Sequence, residues 1–208
     1  MFHRRRASKS RAEGPCATAI AARLTYASAP DSLQGALAAG LLGGGSRFLG
    51  VTEDCAHFLA GELVRIGELP TTQDGWDAVA LESVRLQREK GKFVPGLGHP
   101  VHKQGDPRTP VLMQLARDNG TFGPHLSLFE SIGRVHSQVL GKTLPLNGAG
   151  VCGAVLADVG LPMGVMRGVA LLARCAGLLG HLVEEQTHPV GIDIYMNVDR
   201  NIDYQPPK

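Results

Sequence analysis

Through most of this sequence the apolar residues recur every three or four positions, and almost nowhere every two. That spacing gathers them on one side of an α-helix and leaves little from which to build a sheet. "ATAIAARLTYAS" reads as a first helix, ended by Pro30. "LQGALAAGLL" reads as a second, capped by Asp31 or Ser32 and stopped at Gly43. Thr52 opens a third, "EDCAHFLAGELVRI", whose Glu53 and Asp54 suit the positive end of a helix. A fourth runs from Asp77 to Lys90, with Arg88 and Lys90 in its last turn and Gly91 beyond. Further helices are expected in "RTPVLMQLARDNG", with Pro107 in its first turn, in "HLSLFESIGRVHSQVLG" and in "AGVCGAVLADVG". The last, "GVMRGVALLARCAGLLGHLVEEQ", is apolar on most sides, as a core or interface helix is. Only "GIDIYMNV" reads as a short extended segment. The fold class is all-α.

Composition narrows the function. A net charge of +2 over 208 residues gives no field that would gather nucleic acid. Cys16, Cys55, Cys152 and Cys175 are scattered without C-x-x-C spacing, which reads as reduced thiols of a cytoplasmic protein. Arg174 and His181 interrupt the longest apolar run, so no membrane span is expected. No apolar segment of the kind a signal peptide carries follows the basic N-terminus. Residues 1–14, rich in arginine, read as a basic segment outside the helical region of residues 15–208.

One stretch resists the helical reading. "KFVPGLGHPVHKQGDPRT" holds three prolines and three glycines and must be a bent loop. It fixes His99 with little freedom and ends on Arg108. An imidazole so held suits a preorganised hydrogen-bond donor, and a guanidinium suits a carboxylate. His99, His102 and Asp106 on the loop, or His181, Glu185 and His188 on the long helix, could instead bind zinc, but no metal is expected.

The loop resembles the signature of the citrate synthase superfamily, G-x-G-H followed by D-P-R. "SLQGALAAGLLGGGSRFLG", "LPLNGAGVCGAVLADVGLP" and "LLARCAGLLGHLVEEQ" resemble three further segments of its citryl-CoA lyase branch, in the same order. The resemblance implies a helical fold with a large and a small domain, and a homodimer. It implies a Claisen-type reaction joining or cleaving acetyl-CoA and oxaloacetate, with citryl-CoA as the joined species. The CoA thioester is then substrate, and no tightly bound cofactor is needed. His99 would act on the oxaloacetate end, and Arg108 and Arg174 would hold carboxylates. Gly96, Leu97 and Gly98 would line the CoA site, with Lys103 and Lys92 near its phosphates and Arg47 either near CoA or structural.

Three positions depart from the family pattern. Ala149, in Asn147-Gly148-Ala149-Gly150, stands where the family has its proton-abstracting aspartate. Glu13 stands at the family's early histidine, and Pro100 follows the loop histidine where arginine is frequent. Asp158, nine residues past Ala149, faces the other side of the same helix and cannot replace the aspartate.

Overall fold

The computed structural model describes residues 16–205. Ten α-helices carry the described chain: α1 (Ala17–Ser28), α2 (Leu33–Leu42), α3 (Ser46–Leu49), α4 (Val51–Ile66), α5 (Gln73–Glu89), α6 (Arg108–Asp118), α7 (Pro124–Leu140), α8 (Gly148–Asp158), α9 (Met166–Thr187) and α10 (Gly191–Asn201). The all-α expectation holds. Among the described residues the only β pairing is an isolated bridge between Leu97 and Leu146. The basic segment 1–14, including Glu13, lies outside the described residues.

Two compact units divide the chain: Gly45–Leu171, and the residues up to Gly44 together with those from Leu172 onward. In Gly45–Leu171, α7 supplies the centre of the core. Leu126, Leu128, Phe129 and Ile132 are fully buried against Leu59 of α4, Val84 of α5 and Val151 of α8. Burying each such side chain contributes about 2 kcal/mol. α4 and α8 approach closely because position 153 is glycine; a Cβ there would sit 2.1 Å from the Thr52 carbonyl oxygen. Asp158 has a structural task. Its carboxylate accepts from the backbone N–H groups of Gly123, His125 and Leu126, and from His125 Nδ1 at 2.8 Å. It thereby satisfies the otherwise unpaired donors at the start of α7.

The other unit packs small residues: Ala19 and Ala22 of α1 and Ala36 of α2 against Leu178 and Leu182 of α9. Arg23 is buried on α1, donates to Glu185 Oε2 at 2.5 Å and to Glu184, and lies 3.2 Å from His181 Nδ1. Glu185 also accepts from Val190 N–H at 2.9 Å and Gly191 N–H at 2.6 Å, the first amides of α10. Burial alone would raise its pKa; the guanidinium and the two amides outweigh burial and hold it below the usual value.

The structure corrects several expectations. "GIDIYMNV" is helical, the first part of α10. α5 begins at Gln73 rather than Asp77, capped by Thr72, whose Oγ1 accepts from Gly75 N–H. α4 begins at Val51, after Gly50. Ser32 stands at the start of α2, but its side chain does not cap it. Met163–Thr187 is long and apolar enough to cross a membrane by length and composition. Arg174 and His181 do not interrupt it, because its 18-residue apolar window still has a mean hydropathy of 1.4. On that helix His181 lies beside Arg23 of α1 and Arg174 beside Cys16, while Leu172 is 73% exposed.

Candidate active site

Residues 90–107 link α5 to α6 and carry the G-L-G-H sequence. Backbone bonds stitch this loop to the segment before α8. Gly98 N–H donates to the Pro145 carbonyl at 2.6 Å, and Asn147 N–H donates to the Gly96 carbonyl at 2.9 Å. Asn147 then works twice: its Nδ2 donates to the Gly98 carbonyl, and its Oδ1 caps α8 by accepting from Gly150 N–H. Gly96 has φ of +85°, and a Cβ there would meet the Phe129 ring at 2.7 Å and Gly150 Cα at 2.9 Å. Only glycine satisfies both the turn and the close approach.

His99 is held by its own loop. Its Nδ1 accepts from Val101 N–H at 3.1 Å and His102 N–H at 3.0 Å. An imidazole nitrogen that accepts is unprotonated, so the neutral ring carries its proton on Nε2. Arg108 Nη2 lies 3.4 Å from that Nε2. A guanidinium only donates, so the direct contact is a hydrogen bond only in the tautomer whose Nε2 is unprotonated; with the proton on Nε2 the two N–H groups face each other, and an oxygen acceptor between them satisfies both. The His102 ring lies against His99, with centroids 4.5 Å apart and planes tilted by 37°.

Asp106 fixes Arg108. Its buried carboxylate accepts from Arg108 Nε at 2.9 Å, Nη2 at 2.8 Å and N–H at 3.1 Å, and from Gly148 N–H at 2.7 Å. Burial opposes its ionisation, but these donors prevail and hold its pKa far below the usual carboxylate range. The same carboxylate therefore aims Arg108 and ties it to the residue before Ala149. Sequence reasoning set Asp106 only among possible metal ligands; its place two residues before Arg108 was the available signal for this role. Among the described residues no group of three or more His, Cys, Asp or Glu is disposed to hold a metal ion.

The structure brings His99, Arg108, Gly96, Leu97 and Gly98 into one loop beside α8. Lys103 is exposed on that loop, and Arg47 is exposed on α3. A cleft of about 250 Å³ opens beside Leu97, walled by Val84, Val94 and Leu144. Its cations are Arg88, Lys92 and Lys142 rather than Arg47 or Lys103. Lys142 went unremarked in the sequence, and Arg88 was read there only as a charge suited to a helix C-terminus. Arg174 belongs to the other unit. The expectation for Arg174 was a substrate carboxylate or an internal acid; in the structure Nη1 lies 3.3 Å from Cys16 Sγ, and its buried Nε has no hydrogen-bond partner among the described residues. Burial would raise the Cys16 thiol pKa, but the Thr18 hydroxyl, nearby amides and the Arg174 charge bring it below its ordinary value.

Comparison with known proteins extends the geometry to a family. The model of the citrate synthase C-terminal domain matches residues 13–192. The citryl-CoA lyase of Hydrogenobacter thermophilus superposes with a TM-score of 0.74 at 30% identity, over 92% of this chain and 71% of that one. An aspartate-to-alanine variant of Methanosaeta concilii ATP citrate lyase, solved with (3S)-citryl-CoA, shares the fold with a TM-score of 0.68. It is 23% identical, over 94% of this chain and 32% of that one. ATP-citrate synthase beta chain protein 1 of Arabidopsis thaliana is 28% identical over 191 residues, 83% of this chain. The present chain spans only 29% of that curated relative's length. With its G-L-G-H loop, its Asp-Pro-Arg turn and a family match over most of its length, the chain belongs to the citrate synthase family.

Proposed function

We propose that this chain performs citryl-CoA lyase or citrate synthase-type chemistry, cleaving citryl-CoA or joining acetyl-CoA to oxaloacetate. The observation that carries the proposal is the convergence of His99 Nε2 and Arg108 Nη2 at 3.4 Å, with Arg108 braced by buried Asp106. A donor on neutral imidazole stabilises the oxygen that becomes an alkoxide or a ketone, and a braced guanidinium holds the neighbouring carboxylate. Arg174 serves a second carboxylate. CoA enters as substrate, with no tightly bound cofactor. Its adenine lies along Gly96, Leu97 and Gly98, and the cleft beside Leu97 receives its phosphates on Lys92, Lys142 and Arg88, with Arg47 and Lys103 further contacts. The cytoplasm suits the chain's free cysteines.

The chain acts as a homodimer. Leu179 and Val183 of α9 and Ile192, Tyr195, Val198 and Ile202 on and just beyond α10 are all exposed, apolar side chains of the kind a partner subunit covers.

A second reading, a catalytically impaired relative that binds acyl-CoA or di- and tricarboxylates, is favoured by one observation. Position 149 is alanine, and both aspartates bonded at the ends of α8, Asp106 and Asp158, are saturated with donors. Steady-state release of oxaloacetate from citryl-CoA separates the two. The proposed enzyme turns over and loses at least about 100-fold in kcat with His99→Ala. Binding of citryl-CoA without turnover selects the second reading.

A further inference from the structure

Within Gly45–Leu171, α6 and α8 lie against each other, and one carboxylate ties their N-terminal ends together. Asp106 bonds Arg108, the first residue of α6, and Gly148, the first of α8. At 3.6 residues per turn, Arg108, Leu112, Leu115 and Asn119 fall within about 60° of one another around the α6 axis. Ala149, Cys152 and Leu156 fall within about 60° of one another around α8. Each stripe starts at the candidate active site and runs away from it. The later members of both stripes line one groove of about 280 Å³. Leu112 and Cys152 form its near end, each about one helical turn beyond Arg108 and Ala149 respectively.

The groove offers almost nothing polar. Asn119 Nδ2 donates to the Leu115 carbonyl at 2.8 Å and Thr121 Oγ1 to the Ala116 carbonyl at 3.3 Å, so both polar side chains are turned back onto their own backbone. Burial pushes the Cys152 thiol pKa up, which keeps it protonated at neutral pH, and a protonated thiol packs as a small apolar group. Leu115, 51% exposed, marks the outer end. Pockets that enclose a whole drug-sized ligand run from roughly 300 to 1,000 Å³. This smaller groove suits an apolar appendage of a molecule held next to it.

Resting on the reading that a CoA thioester occupies the site, we propose that the groove between α6 and α8 is an acyl-chain subsite, and that the thioester this chain takes carries a straight alkyl chain longer than acetyl. In the proposed chemistry the reacting carbon is the one beside the thioester carbonyl, and the family's proton-abstracting group stands at position 149. An alkyl substituent on that carbon begins beside half-buried Ala149 and meets Cys152 and then Leu156 along the same face of α8. Alanine removes the carboxylate that such a chain would otherwise have to pass. The occupant is the substrate's own chain rather than a separate lipid, because both walls of the groove begin at residues of the site. Recognition is by apolar contact, so affinity grows with each methylene and needs no particular functional group.

The test is calorimetric titration of acetyl-, butyryl-, hexanoyl-, octanoyl- and citryl-CoA, and of free octanoate, into wild type, Cys152→Phe and Leu115→Trp. Cys152→Phe fills the end nearest the site. Leu115→Trp crowds the outer end from a half-exposed position, and it carries the test if the buried substitution does not fold. Wild-type Kd should fall about fourfold for each methylene added between acetyl- and hexanoyl-CoA, the factor that burial of one methylene supplies. Cys152→Phe should bind acetyl-CoA as wild type does and lose the chain-length gain from butyryl-CoA onward. Leu115→Trp should keep the butyryl gain and lose the octanoyl gain. A wild-type Kd that does not change with chain length overturns the inference and leaves the proposed function standing. An undiminished gain in the folded variants also overturns it. So does octanoate that binds by itself and leaves acetyl-CoA binding unaltered, because the groove is then an independent fatty-acid pocket. Chain-length dependence without cleavage of citryl-CoA supports the subsite and strikes only the turnover. Failure of every thioester to bind overturns the proposed function, and the inference with it.

Discussion

Each unit of the chain holds one of the two arginines proposed as carboxylate ligands, and the two are held in opposite ways. In Gly45–Leu171, Arg108 is gripped by a buried aspartate that also bonds the first residue of α8. In the other unit, Arg174 touches a thiol and keeps a buried Nε without a hydrogen-bond partner among the described residues. That unit does contain a caged arginine, but it is Arg23, enclosed by Glu184, Glu185 and His181. Acids stand on the same helix as Arg174, at positions 184 and 185, and they are committed to a different guanidinium. A braced arginine is preorganised and its electrostatic cost is met within the fold. An unbraced one has its desolvation unrelieved and gains most from an incoming anion. Under the proposed function, the contrast gives Arg108 the task of orientation and Arg174 that of added affinity.

The largest effect that would break this contrast lies in the Arg23 cage. Glu185→Gln should destabilise by about 3 kcal/mol, because it leaves a buried guanidinium short of charge and weakens the anchoring of α10. Urea unfolding with oxaloacetate affinity measured in parallel checks it. A loss of affinity as large as the loss of stability would place Arg23, not Arg174, at the ligand.

Asp106→Asn comes next. It should cost about 2 kcal/mol and weaken carboxylate binding, since a neutral amide holds Arg108 less firmly and clashes with one of its donors. The pH sign follows from the depressed carboxyl. Its contribution is complete above the unfolded value of about 4 and is lost as pH falls through the folded one. Acid unfolding of wild type should therefore be steeper than that of Asp106→Asn. Coincident acid curves would show that the aspartate does not brace the loop.

The smallest effect concerns the thiols. Cys16 has a lowered pKa, whereas burial pushes Cys55 and Cys152 up. Limited iodoacetamide treatment read by peptide mass spectrometry should label Cys16 well before those two. Saturating oxaloacetate should slow that labelling if Arg174 receives a carboxylate. Equal labelling of Cys16 and Cys152 would remove the Arg174 charge as an influence on the thiol.

The parts of this molecule that were legible in the sequence are those set by local chemistry. The apolar stripe of α7 shows its period directly, and Pro30, Gly43 and the Gly/Pro run at residues 95–107 show where helices stop. His99 and Arg108 were legible because the loop motif is short and distinctive. What escaped depends on residues distant in sequence or on choices between similar patterns. "GIDIYMNV" alternates enough to pass as extended, but the amides opening α10 are satisfied by Glu185, a residue of the preceding helix. The start of α5 rested on a Thr72 cap five residues before Asp77, where the helix was expected to begin. Asp106 and Asn147 are unremarkable alone; their roles exist only because Gly148 and Gly98 are brought against them. The thiol beside Arg174 joins positions 158 apart, which no spacing argument reaches.

The most direct measurement is calorimetric titration of oxaloacetate into wild type and Arg108→Ala, with and without saturating CoA. The account predicts one site per chain and a loss of about 100-fold in affinity on removing the braced guanidinium, as expected for a lost charge-assisted bidentate contact. Unchanged affinity in Arg108→Ala would contradict it, because the loop that carries His99 would then not be where the carboxylate is read.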